Sequence, residues 1–358
     1  MAKIPSKIET WQMTEPGKLA RVSLDMPELK PGEALIEVAG CGICHTDLGY
    51  FYDGVPTVSK PPLTLGHEIS GTVVAGDAGW AGKEVIVPAV MPDNTCPLCA
   101  AGRNNRCLQQ KMPGNSMGIY GGFSSHIVVP SADLCPVPDR KGIPLSHLAV
   151  VADAGTSPYQ AAKRANVKPG DTTIVIGATG GLGVYATQVL AAMGAKEVIA
   201  IARDAAKLQR SLEFGATHTI QSTSDKDPRA IKDEFRAYCS SKNIPSNYGW
   251  KIFEWSGSAS GQKIALELLS YCFTLAICGF GMQKNEYSLS RLMAFDADIF
   301  GSWGCLPKYY PDVLKMVLDG KIKIEPFLET RPMSKIKESF EEAHKSSLTK
   351  RIILTPDF

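Results

Sequence analysis

The apolar run "TTIVIG" (172–177) passes directly into "GATGGLG" (177–183), and a helix-like stretch, "GVYATQVLAAMG", follows. Few physical demands call for so much glycine between a strand and a helix. The turn must be tight, the helix must pack close to the strand, and the backbone must approach a ligand that side chains would exclude. A helix N-terminus adds free N–H groups and the positive end of a dipole, which suits phosphate. Gly177, Gly180, Gly181 and Gly183 are therefore candidates to cradle a dinucleotide pyrophosphate. Five more strand-like runs continue the pattern: "EVIAIA" (197–202), "THTI" (217–220), "KIFEW" (251–255), "TLAICGF" (274–280) and "DIFGSW" (298–303). Helical stretches such as "SGQKIALELLS" lie between them. Strands alternating with helices predict an α/β region with a doubly wound parallel six-stranded sheet over 155–303.

The second of these strands bears on the choice of dinucleotide. An acidic residue about 20 positions beyond the turn binds the ribose hydroxyls of NAD in this arrangement. Here the strand ends "IAIARDAAK", and that place falls on Ala202. Arg203 comes next, and its charge suits the 2′-phosphate of NADP. Asp204 follows and can reach a ribose, and Lys207 is a further basic candidate in the same helix. Both dinucleotides stay open on these residues. NAD is the expectation, because Asp204 gives it a route.

The first third of the chain has a different texture. Short β-type runs, "EALIEVAG", "SGTVVAG", "KEVIVPAV" and "SSHIVVP", are separated by loops rich in Gly and Pro. This predicts a compact, mostly β unit. A Pro-rich connector, "CPVPDRKGIP" (135–144), follows it. The tail beyond residue 304 returns to mixed structure and ends in "RIILT", a run that could rejoin the first unit. The expected domains are thus 1–154 with 304–358, and 155–303.

Metal-ligand chemistry concentrates in that first unit. "DNTCPLCAAGRNNRC" holds Cys96, Cys99 and Cys107, and Asp93 lies in step before them. Clustered thiols in a Gly/Pro loop suit a closed tetrahedral zinc site that folds a lobe near 93–107. "GCGICHTDLGY" contains Cys41, Cys44, His45, Thr46 and Asp47; "GHE" contains His67 and Glu68; "VADAGTSPY" contains Asp153. Spacing alone does not join Cys44, His67 and Asp153, since each taken singly reads equally well as a buried or surface residue.

Composition narrows the partners. The 358 residues carry a formal net charge of +2, so no strong field recruits nucleic acid or an anionic membrane. No run of 18 apolar residues suggests a membrane span, and "MAKIPSKIETWQ" does not read as a leader. Ten sparse cysteines read as thiols or metal ligands in a reducing cytoplasm.

The order of these motifs carries a family resemblance over essentially the whole chain. The Cys44 stretch, "GHExxGxV", the cysteine lobe, "GGF", "xAGTxxY" and "GAxGGLG" together resemble the zinc-dependent alcohol dehydrogenases of the medium-chain dehydrogenase/reductase superfamily. The resemblance implies a GroES-like catalytic domain, a Rossmann domain, and two zinc ions per chain. It implies Cys44, His67 and Asp153 as ligands of a catalytic zinc, with Asp153 where cysteine is usual. Asp93, Cys96, Cys99 and Cys107 would hold a structural zinc, with Asp93 where a first cysteine is usual. It places Glu68 beside the catalytic metal and Asp47 behind His67, and it makes Thr46 the hydroxyl that takes the substrate proton. His45 would face the cofactor pyrophosphate, Ser157 would lie beside the nicotinamide, and Arg351 would contact the cofactor phosphates. Gly49 stands where some members carry a proton-relaying histidine. Two stretches, "ICHTDLGYFYDGV" and "NSMGIYGGFSSHIVV", further resemble a branch that oxidises a ring hydroxyl on a CoA thioester during anaerobic breakdown of aromatic acids. That branch implies basic residues for the CoA, among which Lys60, Arg103, Arg106 and Lys111 are candidates. Homodimers or homotetramers are implied by the family's habit. A general secondary-alcohol or polyol dehydrogenase shares every motif. A non-catalytic nucleotide-binding protein would have no need of an open metal site beside a hydroxyl relay.

Overall fold

The computed structural model describes residues 4–223, 226–345 and 350–358. The first three residues of the stretch read above as lacking a leader lie outside them. The chain divides into two compact units: Met1–Thr156 with Gly304–Gly320 and Ile324–Phe358, and Ser157–Trp303 with Lys321–Lys323.

The first unit opens with β1 (Lys7–Glu15), β2 (Lys18–Asp25), β3 (Glu33–Gly42) and α1 (His45–Tyr52). It continues through β4 (Leu63–Thr64), β5 (Glu68–Gly76), β6 (Glu84–Val87), α2 (Pro97–Ala100), β7 (His126–Pro130) and β8 (Cys135–Pro136), and α3 (Thr156–Arg164) begins at its border. The second unit contains β9 (Thr172–Ile176), α4 (Gly183–Ala192), β10 (Glu197–Ala202), α5 (Ala205–Arg210), β11 (His218–Gln221), α6 (Pro228–Ser241), β12 (Lys251–Glu254), α7 (Ala259–Leu268), β13 (Thr274–Ile277), α8 (Leu289–Phe295) and β14 (Asp298–Gly301). The chain then returns to the first unit with α9 (Tyr310–Leu318), β15 (Leu328–Pro332), α10 (Ile336–His344) and β16 (Arg351–Thr355).

A seven-stranded sheet forms the body of the first unit, in the order β15-β16-β3-β5-β6-β8, with β7 also on β3. The antiparallel register of β3 on β5 sets Gly42 opposite Glu68. β16 closes against the same end of β3, with Ile353 opposite Gly42. Inward residues of these strands, among them Ile36, Val38, Ile69, Val85 and Ile352, pack into one core with Phe123 and Phe340.

The second unit is a parallel six-stranded sheet in the order β11-β10-β9-β12-β13-β14. The central strands β9, β10 and β12 are buried on both faces, as helices on each side require, while β14 at the edge is largely exposed. Alternation along them shows this directly. Ile174, Ile176, Ile199 and Ile201 enter one core with α6 and α7, while Val175, Val198 and Ala200 enter the other with α3 and α4. Strand order reverses between β9 and β12, and the crevice beyond the carboxyl ends of those strands is where such sheets take ligands. Helix ends follow local chemistry. Asp227 caps α6, whose first residue is Pro228, and Ser258 caps α7.

Candidate active site

Gly42 ends β3, and a Cβ there would collide with Glu68 Oε2, so only glycine lets the two strands meet at this point. Two residues on, Cys44 precedes α1. Asp47, in the first turn of α1, is wholly buried and accepts from Cys44 N at 3.0 Å and from Gly66 N at 3.0 Å. Those two bonds tie the Cys44 loop to the His67 loop. Asp153 arrives from elsewhere, after the buried 3₁₀ stretch Leu145–Ala152. Tyr310 fixes that stretch, since its hydroxyl donates to Ala152 O at 2.5 Å and accepts from Ala89 N at 3.0 Å. Nothing in the sequence around Tyr310 announced this; it is a buried aromatic whose polar end needs partners.

The result is one cluster. Ligand atoms of Cys44, His67, Glu68 and Asp153 lie within 4.8 Å of one another. Cys44 Sγ is 3.9 Å from Asp153 Oδ2, and His67 Nε2 is 3.7 Å from the same oxygen. Zinc bonds of 2.0–2.3 Å in a tetrahedron put neighbouring ligands about 3.3–3.8 Å apart, so these spacings suit one ion. His67 presents Nε2 to this group, while its Nδ1 stands 3.3 Å from Asp47 Oδ1. Burial opposes a charge on His67, but Asp47, Asp153 and Cys44 outweigh it and hold the imidazole pKa well above the ordinary value. Thr46 Oγ1 lies 3.7 Å from Cys44 Sγ. Burial lifts the Glu68 carboxyl to about 7, although Arg351 opposes the shift.

Arg351 donates from Nη1 to Ile43 O and to both carboxylate oxygens of Glu68. The physical reason is that a wholly buried carboxylate needs a cation, and β16 delivers one beside β3. His45 is exposed at the start of α1, and Ser157 is buried in the first turn of α3. Gly49 is buried, and a Cβ there would meet Val55 at 3.3 Å.

The second cluster is the lobe. Cys96 Sγ is 3.6 Å from Cys99 Sγ and 3.9 Å from Cys107 Sγ, and Asp93 Oδ1 is 3.5 Å from Cys99 Sγ. Backbone N–H groups point at these donors, from Leu108 to Cys96 Sγ and from Asp93 and Gln109 to Cys107 Sγ. Bonds from Thr95 N and Cys96 N hold the Asp93 carboxyl well below the usual range. Burial and the neighbouring donors push the Cys99 thiol up to about 12. Four donors with one carboxylate charge and crowded thiols fit a dication at their centre.

In the second unit, Gly177 has φ +80° and its missing Cβ would press on Ser256 N at 2.8 Å. A Cβ on Gly183 would collide with the Gly177 carbonyl. Turn and helix are packed as the glycines predict, with Gly180 and Gly181 in the turn and Gly183 opening α4. Asp204 caps α5 by accepting from Lys207 N at 2.9 Å, and Arg203 is exposed beside it. The CoA candidates Lys60, Arg103, Arg106 and Lys111 are all exposed. Among the described residues, no helix is long and apolar enough to cross a membrane.

Residues 30–139 match the alcohol dehydrogenase GroES-like domain family, and residues 181–319 match the zinc-binding dehydrogenase family. The chain belongs to the zinc-dependent alcohol dehydrogenases. Relatives span nearly the whole length. An alcohol dehydrogenase of Geobacillus stearothermophilus is 27% identical over 92% of this chain and 94% of its own. A D-arabinose 1-dehydrogenase (NADP(+)) of Saccharolobus solfataricus is 27% identical over 93% of each. The solved acetophenone reductase of Geotrichum candidum, in complex with NAD, superposes with a TM-score of 0.83 at 25% identity, covering 99% of this chain and 98% of that one. As a zinc alcohol dehydrogenase the protein acts on CH–OH groups, with zinc and a nicotinamide dinucleotide as cofactors.

Proposed function

We propose that the protein is a dehydrogenase of secondary alcohols or polyols, with Cys44, His67 and Asp153 holding the catalytic zinc. The observation that carries this reading is the spacing of those three donors beside the Thr46 hydroxyl. When bound, zinc supplies a Lewis acid to the alcohol oxygen and the dinucleotide accepts the hydride.

The chain's own residues have separate duties. Cys44 and Asp153 would offer the zinc two negative charges and His67 a neutral nitrogen. Asp47 holds His67 through Nδ1, which keeps Nε2 free as the ligand atom. Thr46 Oγ1 receives the hydroxyl proton. Because Gly49 offers no imidazole, the proton passes on from Thr46 by another path, such as the ribose hydroxyls and water. Gly177, Gly180, Gly181 and Gly183 cradle the pyrophosphate. His45 and Ser157 are carried as further cofactor contacts, and Asp93, Cys96, Cys99 and Cys107 as the structural zinc site. Asp204 keeps Oδ2 for a ribose while Oδ1 caps α5, and Arg203 is placed to meet a 2′-phosphate. NAD is the proposed acceptor, with NADP as its competitor.

A second reading rests on the two stretches noted above. It makes the substrate 6-hydroxycyclohex-1-ene-1-carbonyl-CoA, oxidised to the 6-oxo thioester in benzoyl-CoA degradation. One experiment separates the readings. Initial rates are measured with this thioester, with 2-cyclohexen-1-ol and with a polyol series, each with NAD and NADP. Turnover of free alcohols or polyols equal to or above that of the thioester supports the general reading. Fast turnover of the thioester alone replaces it with the second.

A homo-oligomer in the cytoplasm completes the proposal. Ten unpaired cysteines suit a reducing compartment. α8 has no buried residue and shows Leu289 and Met293 one turn apart, next in sequence to the sheet-edge strand β14, which suits a second copy of the chain.

A further inference from the structure

Glu254 ends β12, on the strand that borders the reversal in sheet order. Its side chain is wholly buried, although a carboxylate is among the costliest groups to bury. Every neighbour on it is a donor. Ser256 N donates to Oε1 at 2.8 Å, the Ser256 hydroxyl donates to the same oxygen, and Gly257 N donates to Oε2 at 3.3 Å. Burial pushes this carboxyl up, and the three donors oppose that shift.

These bonds shape the turn that follows. With its proton committed to Glu254, Ser256 Oγ accepts from Ser258 N at 3.1 Å and lies 2.9 Å from Ser258 Oγ. Ser258 Oγ accepts from Gly261 N at 3.1 Å and so caps α7. The same turn presses on the glycine turn, since the absent Cβ of Gly177 would lie 2.8 Å from Ser256 N and 3.0 Å from Ser256 Cα. On its other side, Gly257 (φ +60°) lies against the Phe280 backbone. The segment 255–258 is therefore a thin wall between Gly177 and the end of β13, and Glu254 anchors it from beneath.

We propose that Glu254 is a positioning residue for the dinucleotide: its buried carboxylate holds the 255–258 turn against Gly177 and so sets the depth of the crevice that receives the cofactor. It touches neither cofactor nor substrate. The proposal rests on the dinucleotide assignment given above.

Glu254→Gln keeps the shape but turns an amide N–H₂ toward one of the donors. Ser256→Ala removes one donor and breaks the hydroxyl chain, with little risk to folding. Both are titrated with NAD and NADP by calorimetry, alongside zinc content, melting temperature and kcat at saturating dinucleotide. The expected result is a dissociation constant raised about tenfold in E254Q and about threefold in S256A, with zinc content unchanged and kcat at saturation within about twofold. Affinity within about twofold of the native protein in S256A, and in E254Q wherever that variant folds, with only the melting temperature lowered, overturns the proposal and leaves a purely structural carboxylate. Native protein that binds neither dinucleotide would defeat the cofactor assignment itself, which is a separate failure.

Discussion

Arg351 donates from Nη1 to both carboxylate oxygens of Glu68, at 3.0 and 3.1 Å, with the Arg351 side chain 5% exposed and that of Glu68 fully buried. Removing one partner of such a pair strands the other. Arg351→Met is expected to cost about 3 kcal/mol in chemical denaturation. Arg351→Lys keeps the charge but loses the planar fork, and should recover only part of it. A loss below about 1 kcal/mol in Arg351→Met would show that Glu68 is satisfied without its cation.

The lobe predicts a metal count. Asp93→Ala should lower zinc from two to one per chain by atomic absorption, while the Cys44–His67–Asp153 site stays loaded. Asp93→Cys should hold its second zinc longer against a chelator, because thiolate is the softer ligand. Two zinc ions in Asp93→Ala would remove Asp93 from the ligand set.

Arg203 and Asp204 divide the dinucleotides. Arg203→Ala should raise the KM for NADP about tenfold and leave that for NAD within about twofold. A loss confined to NAD would reverse the roles. Asp204→Ala also loses a helix cap, so about 1 kcal/mol of stability should go with it.

In the second unit, the Tyr238 hydroxyl donates to Glu197 at 2.8 Å, and its pKa is pushed up to about 12 by burial and by that carboxylate. A raised folded-state value favours the neutral phenol. Its contribution is complete below the unfolded value of 10.0 and is lost as pH rises toward about 12. Denaturation midpoints should fall across that window in the native protein and fall less in Tyr238→Phe. Equal slopes would show that the hydrogen bond does not matter to alkaline stability.

Leu289 and Met293 are 76% and 75% exposed on one face of α8. Leu289→Glu with Met293→Glu should reduce the assembled mass seen by light scattering and leave the circular dichroism spectrum intact. An unchanged mass would move the self-association surface elsewhere.

The sheet of the second unit was legible because buried parallel strands are written as short apolar runs. Five of the six runs begin at the observed first residue, and "THTI" is one residue early against His218–Gln221. Four of the six overran the strand end, as in "TLAICGF" against Thr274–Ile277, since apolar residues continue past the last ladder bond, while "EVIAIA" ends with its strand and "THTI" stops one residue short. The hairpin of β1 and β2 was not foreseen, because charged residues such as Lys18, Arg21 and Asp25 line its exposed side. The cysteine lobe could be read from spacing. The Cys44, His67 and Asp153 set could not, since its members meet only through the β3–β5 register and the Tyr310 anchor. The pairing of Arg351 with Glu68 was invisible for the same reason: nothing local in either segment names the other.

The two partners are separated by 283 residues of chain, and the whole second unit is threaded between them. As a loose coil, a loop of that length would cost about 5 kcal/mol in closure entropy. Once the intervening sheet has folded, Arg164 near its start donates to the Gly301 carbonyl near its end, and the tether that β16 must close is far shorter. β16, and with it the counter-charge for Glu68, is thus expected to join its sheet at a smaller entropic cost once the parallel sheet has formed.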